Sequence, residues 1–182
     1  MKRTIYTLIA TALLLSCSGH KVRNSIKVLD DVESYIQERP DSALTVIQSI
    51  VADDLSSREL KARHALLLSQ ALDKNFIDLP SASIIAPAVT LFEKSGDHEA
   101  LFKAYYYHAR VLSNAGRYTE AMQIYLKTEE MSGKVKDLFA VGLLHSQIGG
   151  LNSMYFNYPK AIEYYQKAQE YYRRAGKDTH MH

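Results

Sequence analysis

The chain has 182 residues, 47% of them hydrophobic and 23% charged, and its 22 lysines and arginines stand against 20 acidic residues. That length can bury one core as a single unit. A lone cysteine excludes an intramolecular disulfide framework, and interspersed charges of both signs leave no basic footprint for nucleic acid. Apolar residues recur at three- and four-residue steps without a strand-like alternation, so the expected fold class is all-α.

Residues 1–16 read as an address. Lys2 and Arg3 form a charged stub and Ile5 to Leu15 an apolar run, far shorter than the roughly 20 residues of a membrane-spanning helix. A stub, a short apolar core and small residues at its end mark a secretory signal peptide to be removed. The string Leu14-Leu15-Ser16-Cys17 resembles the bacterial lipobox. That resemblance implies cleavage before Cys17, a diacylglycerol on its sulfur and acylation of the freed amino group. The membrane would be held through this lipid, each buried CH₂ contributing about 0.8 kcal/mol. Ser18, rather than an aspartate, after the cysteine implies the outer membrane of a Gram-negative cell envelope. Residues 17–23 would be a tether. Losing Lys2 and Arg3 with the signal brings basic and acidic residues level.

Residues 24–178 form the expected helical domain. Its first hairpin pairs Ile26 to Gln37 with a helix opening at Pro40-Asp41-Ser42-Ala43 and running through Val46, Ile47 and Ile50. Ser56 and Glu59 are spaced as a capping box for a helix through Leu72. Pro87 would break a helix begun earlier, which predicts a late start capped by Ser83 and an extended connection over Asn75 to Ala82. Glu99 to Ala115, closed by Gly116, and Thr119 to Ser132, closed by Gly133, make the next hairpin. Asp137 to Met154 pairs with a last helix that has Pro159 in its first turn and Gly176 as its left-handed cap. One face of that helix carries Ala161, Tyr164, Tyr165, Ala168, Tyr172 and Ala175. Residues 179–182 are a tail.

The hairpins repeat. Ser81, Ala121 and Ala161 stand 40 residues apart, as do Ile85, Tyr125 and Tyr165, and again Ala88, Thr128 and Ala168. A constant step of this size marks supersecondary units that bury their apolar faces only against neighbours. In the hairpin Tyr105–Ser132 the residues Tyr105, Ala109, Gly116, Tyr118, Ala121 and Tyr125 meet the pattern of the tetratricopeptide repeat. Ile148, Gly149, Tyr158, Ala161, Tyr165 and Ala168 do so in the following one, and Leu68, Ser69, Leu72, Ser81 and Ile85 hold the register upstream. The chain thus resembles a tetratricopeptide-repeat protein. The resemblance implies an α-solenoid of about four stacked antiparallel hairpins, with helices longer than in the family's usual step of about 34 residues. Its implied role is a non-catalytic protein–protein interaction module.

No chemistry competes with that role in the sequence. His64, His108 and His145 fall at helix packing positions and His180 and His182 in the tail; no His-Glu-x-x-His or paired cysteines mark a metal site, and no cofactor is expected. Gly149-Gly150 lies inside a helix pattern rather than in a strand–turn–helix phosphate loop, and Asp30-Asp31 and Asp53-Asp54 read as caps or solvated surface. An enzyme would need a cleft with perturbed groups that nothing here announces.

The tyrosines say more. Of 13, all but Tyr6 and Tyr35 lie between Tyr105 and Tyr172. Packing accounts for Tyr105, Tyr118, Tyr125, Tyr158 and Tyr165 but leaves Tyr106, Tyr107, Tyr155 and Tyr171 over, and tyrosine and arginine are the residues of interface hot spots. Counted from the packing positions, the first helices build a concave wall of Arg63, Gln70 and Lys74, then Lys103, Tyr106, Arg110 and Asn114, then Ser146, Gln147 and Ser153. The wall reads as amphipathic and mildly basic, fit for an extended peptide or a partner helix, with Tyr106 and Arg110 as anchors. Family members that bind chaperone tails clamp a carboxylate with Lys and Asn; Leu66 and Gln70 occupy two of those places, so the resemblance does not extend to that activity. At the far end Tyr164, Tyr171 and Tyr172 read as an uncovered contact for a partner, a further segment or a second copy. Narrower roles implied are the sensor or regulatory part of a longer protein, an assembly factor for an outer-membrane barrel or pilus, and a scaffold for an uptake complex.

Overall fold

The computed structural model describes residues 23–79 and 81–177, which form eight α-helices and no strand. They are α1 (residues 23–35), α2 (Pro40–Gln48), α3 (Arg58–Lys74), α4 (Ala86–Ser95), α5 (His98–Asn114), α6 (Tyr118–Glu129), α7 (Leu138–Met154) and α8 (Tyr158–Arg174). Short 3₁₀ turns, Ala52–Asp54 and Ser132–Lys134, precede α3 and α7. The all-α class stands. The expected signal peptide, Cys17, nearly all of the tether and the tail with His180 and His182 lie outside the described residues.

Local chemistry explains the boundaries. Prolines enter the first turns of α2, α4 and α8, where a missing N–H leaves no bond unmade. Three first-of-pair helices open on side-chain caps. Ser57 Oγ accepts from Leu60 N–H at 3.1 Å, and Asp97 and Asp137 accept from Ala100 and Ala140 N–H, each at 3.0 Å. The α3 cap is therefore Ser57, one residue beyond the expected Ser56. Ser83 does not cap α4: its N–H donates to Ser81 Oγ, and α4 starts at Ala86 without a side-chain cap. Likewise α6 stops at Glu129, before the expected Gly133, which sits in the second 3₁₀ turn.

The turns joining α3 to α4, α5 to α6 and α7 to α8 place one residue each in the left-handed region, at φ 57° (Phe76), 74° (Gly116) and 59° (Phe156). These positions are again 40 residues apart. Glycine occupies that conformation freely; a bulky residue pays roughly 1–2 kcal/mol. Neither phenylalanine recovers this by burial, since Phe76 is 95% exposed and Phe156 77%.

Each helix from α2 onward packs on its chain neighbours, and α3 also touches α5. Two cores result. One joins Leu29 and Val32 of α1 and Ile36 of the turn after it to Ile47, Leu67 and Ala71; the other runs from Ala62 through Phe102, Tyr125, Leu144 and Tyr164. The repeat register holds in the middle, where Ile85, Ala88, Ala121, Tyr125 and Thr128 are fully buried. It loosens at both ends, with Ser81 exposed outside any helix and Tyr165 44% exposed.

The most extensive helix pair is α7 with α8. A Cβ on Gly149 would come within 2.9 Å of the Tyr165 ring and 3.3 Å of Ala161 O; one on Gly142 would meet the Tyr172 ring at 2.6 Å and Ala168 O at 3.3 Å. The contact among the repeat-pattern residues Gly149, Ala161 and Tyr165 is thus repeated one heptad along by Gly142, Ala168 and Tyr172. Two bare glycines let the α8 rings approach the α7 backbone closely.

Candidate protein-binding cleft

Helices α1, α3, α5 and α7 meet through polar side chains that span hairpins. Arg63 of α3 donates to Asp30 (2.7 Å) and Glu33 (3.1 Å) of α1, and Lys103 of α5 lies 3.7 Å from the same Glu33. Farther along, Arg110 of α5 donates to Asp73 of α3 at 2.8 Å and to Gln147 of α7 at 2.9 Å. Asn114 donates to Asp78 at 2.8 Å. These bonds bring five of the predicted wall residues, Arg63, Lys103, Arg110, Asn114 and Gln147, into one ladder.

Between α1, α3 and α5 the ladder leaves a cleft of about 330 Å³. Leu66, Leu67 and Phe92 floor it, Arg63 and Lys103 stand in its wall, and Gln70 lines both it and a smaller recess beside Tyr106 and Phe139. Gln70 is only 3% exposed. Its amide makes no hydrogen bond within the described residues, and its polar atoms are not among the fully enclosed unpaired ones, so they reach solvent in the cleft. It is a donor and acceptor facing open space.

Several wall expectations need correction. Gln70 is cleft floor, not exposed wall. Tyr106 is 6% exposed, packed edge-on against Tyr107 with ring centres 5.0 Å apart, and burial raises its hydroxyl well above the ordinary pKa. The reason is that α5 contacts α3, α4, α6 and the second 3₁₀ turn, which encloses most of its circumference. Both Tyr106 and Tyr107 are therefore core. Arg110 is not a free anchor either. Burial is the largest influence and works against its charge, yet Asp73 together with Tyr106 and Tyr125 more than offsets it and holds the guanidinium pKa above its usual value. Lys74 and Ser146 and Ser153 of α7 are half-buried beyond the cleft, and desolvation lowers the Lys74 pKa against the pull of Asp73.

The wall is not basic. The cleft is lined by Glu33, Glu59, Asp97 and Glu99 against Arg63 and Lys103. Sequence reasoning missed these acids because they come from α1, the first turn of α3 and the start of α5. Asp97 and Glu99 did carry a signal, the N-cap and first-turn acids of a helix.

The far end also differs from expectation. Tyr164 and Tyr172 are buried and Tyr171 half-buried. Tyr164 Oη donates to Glu129 Oε2 at 3.0 Å, Tyr172 covers Gly142, and the Tyr171 ring stacks on His145 with centres 5.1 Å apart. Spaced at seven and eight residues, these three lie on the α8 face turned to α6 and α7. Tyr158, Ile162 and Tyr165, at four and seven, form a partly exposed stripe along the edge of that face; Tyr165, one heptad before Tyr172, also packs on Gly149.

Of the histidines, His64 and His145 are buried, His108 is half-buried and His98 is exposed. His64 Nε2 lies 3.1 Å from Ile47 O, and His145 Nε2 lies 3.3 Å from Glu129 Oε1. Burial pushes the His145 imidazole below its ordinary pKa, with Glu129 opposing; His108 is lowered by burial and then by Arg117. Among the described residues no three His, Cys, Asp or Glu side chains gather as metal ligands, and no helix is long and apolar enough to cross a membrane. A wider groove of about 520 Å³, between the first turn of α3 and α4, has Ala86, Pro87 and Leu91 as its floor and involves none of the predicted wall residues. No protein-family model matches the chain and no curated protein is significantly similar to it, so the tetratricopeptide and lipobox resemblances rest on the residues that carry them.

Proposed function

We propose that this chain is a non-catalytic protein-interaction module, a tetratricopeptide-type stack of helical hairpins held on the outer membrane of a bacterial cell envelope by lipid on Cys17. Its task is to hold a segment of another protein in the cleft between α1, α3 and α5. The observation that carries this reading is Gln70, a largely buried residue whose amide makes no hydrogen bond within the described residues and opens to solvent in a cleft floored by Leu66 and Phe92. An apolar floor with a few convergent polar groups is the usual make-up of a binding site. Roles as the sensor part of a longer protein, or as an assembly factor or scaffold for a barrel, pilus or uptake complex, all use this cleft in the same way.

The test is site-specific photo-crosslinking in intact cells, with the probe at Glu59 on the cleft rim and a control probe at Glu130. One dominant protein adduct from Glu59, lost on Gln70→Leu, supports the reading. Equal adducts from both probes, indifferent to Gln70, refute it. The exposed stripe Tyr158, Ile162 and Tyr165 favours a second contact at α8, made by a further hairpin of a longer chain or by a second copy.

A further inference from the structure

We infer that the cleft between α1, α3 and α5 takes an extended polypeptide segment that presents a lysine or arginine side chain, an assignment that rests on the cleft being the binding site proposed above. Charge is the first ground. The two cations in the wall are already answered. Arg63 is held by Asp30 and Glu33, and Lys103 stands by Glu33. Glu59, Asp97 and Glu99 have no cationic partner among the described residues. Asp97 uses Oδ1 to cap α5, and Glu99 uses Oε1 to accept from Lys136 N–H. Each keeps its second oxygen unbonded, and Glu59 keeps both.

The second ground is independent of charge. Gln70, 3% exposed as a residue, lines this same cleft, and its amide, unbonded within the described residues, is left open to solvent there. A carboxamide offers one acceptor and two donors, the complement of a peptide group's N–H and C=O. That selects a polypeptide over a free diamine, which has no carbonyl to receive the amide's donor. The apolar floor is the third ground. Along α3, Leu66 and Leu67 stand between Glu59 and Gln70, and with Phe92 they line the cleft, where the methylene stem of a lysine or arginine covers apolar surface while its head reaches carboxylate oxygens. An acidic segment would meet three unanswered carboxylates instead.

The experiment is fluorescence anisotropy with the full chain and three dye-labelled peptides of equal length. Leucine alternates with lysine in one, with glutamine in the second and with glutamate in the third. The lysine peptide is expected to bind tightest and to weaken about tenfold with Glu59→Gln/Asp97→Asn/Glu99→Gln, since rim charges contribute modestly and add. Asparagine caps as well as aspartate, and unchanged far-UV circular dichroism verifies the fold. Glu59→Gln alone, at an exposed position, is expected to cost about threefold. Gln70→Leu weakens the lysine and glutamine peptides alike. A glutamine or glutamate peptide bound as tightly as lysine, yet still sensitive to Gln70→Leu, overturns the charge assignment and leaves the cleft reading standing. Indifference of all three peptides to Gln70→Leu overturns both. Spermidine displacing the lysine peptide at matched concentration assigns the cleft to a free polyamine and overturns the polypeptide.

Discussion

Alanine substitutions at three glycines of one helix test the α7–α8 contact, because the structure gives them opposite signs. Glycine inside a helix costs about 1 kcal/mol relative to alanine, so each substitution starts with that gain. At Gly150 the added methyl meets only Tyr165 Oη, at 3.8 Å, an ordinary contact, and Gly150→Ala is expected to stabilise by about 0.5–1 kcal/mol. At Gly142 the methyl falls 2.6 Å from two carbons of the buried Tyr172 ring and 3.3 Å from Ala168 O. The ring cannot retreat without parting α8 from α7, and overpacking of this kind costs about 1–3 kcal/mol. Two contacts at 2.6 Å put the cost in the upper part of that range, about 2–3 kcal/mol, so net destabilisation of about 1–2 kcal/mol follows. Gly149→Ala, at 2.9 Å from the partly exposed Tyr165 ring, should fall between the two. Urea denaturation followed by circular dichroism reads all three, and each kcal/mol moves the melting temperature by about 2–4 °C in a chain of this size. The decisive arm adds Tyr172→Ala. Without the ring, Gly142→Ala should lose most of its penalty, a coupling of at least about 1 kcal/mol. A neutral or stabilising Gly142→Ala in the parent chain would refute the assigned face of α8.

Three further outcomes are expected. Phe76→Gly relieves a left-handed phenylalanine that buries almost nothing, and should raise stability by about 0.5–1 kcal/mol in the same urea assay; a loss would show that the exposed ring is held by contacts the fold needs. The His145 pKa is depressed in the folded state, so the unfolded chain binds more protons; stability is complete above the unfolded value of 6.5 and falls as pH drops below it. Urea midpoints between about pH 7 and 5 should therefore fall less steeply for His145→Gln than for the parent, and parallel slopes would count against burial as the cause. Finally, Cys17→Ala should release the protein from salt-washed membranes, whereas continued pelleting would exclude lipid on that residue as the anchor.

Much of the fold was legible because helix punctuation is local. Pro40, Pro87 and Pro159 at first turns, Asp137 just before α7 and the left-handed Gly116 and Gly176 all act within one turn of where they stand. The heptad pairs Gly142–Gly149 and Tyr165–Tyr172 were equally visible, though only the Gly149 half entered the reading. What sequence could not supply was the circumference of each helix. Tyr106 looked surplus to packing until α5 proved to be surrounded, and Tyr164, Tyr171 and Tyr172 looked uncovered because the rotation of α8 about its axis is set by tertiary contact. The sign of the cleft was hidden for the same reason. Glu33 and Lys103 stand far apart in the chain, and only the packing of α1 beside α5 makes them neighbours.

The most direct measurement is a structure of the chain with the protein segment it captures in cells. The segment is expected to lie along the cleft between α1, α3 and α5, with one of its peptide groups paired to the Gln70 amide. A segment seated on the Tyr158–Ile162–Tyr165 stripe, with Gln70 still unpaired, would contradict the assignment of function to the cleft.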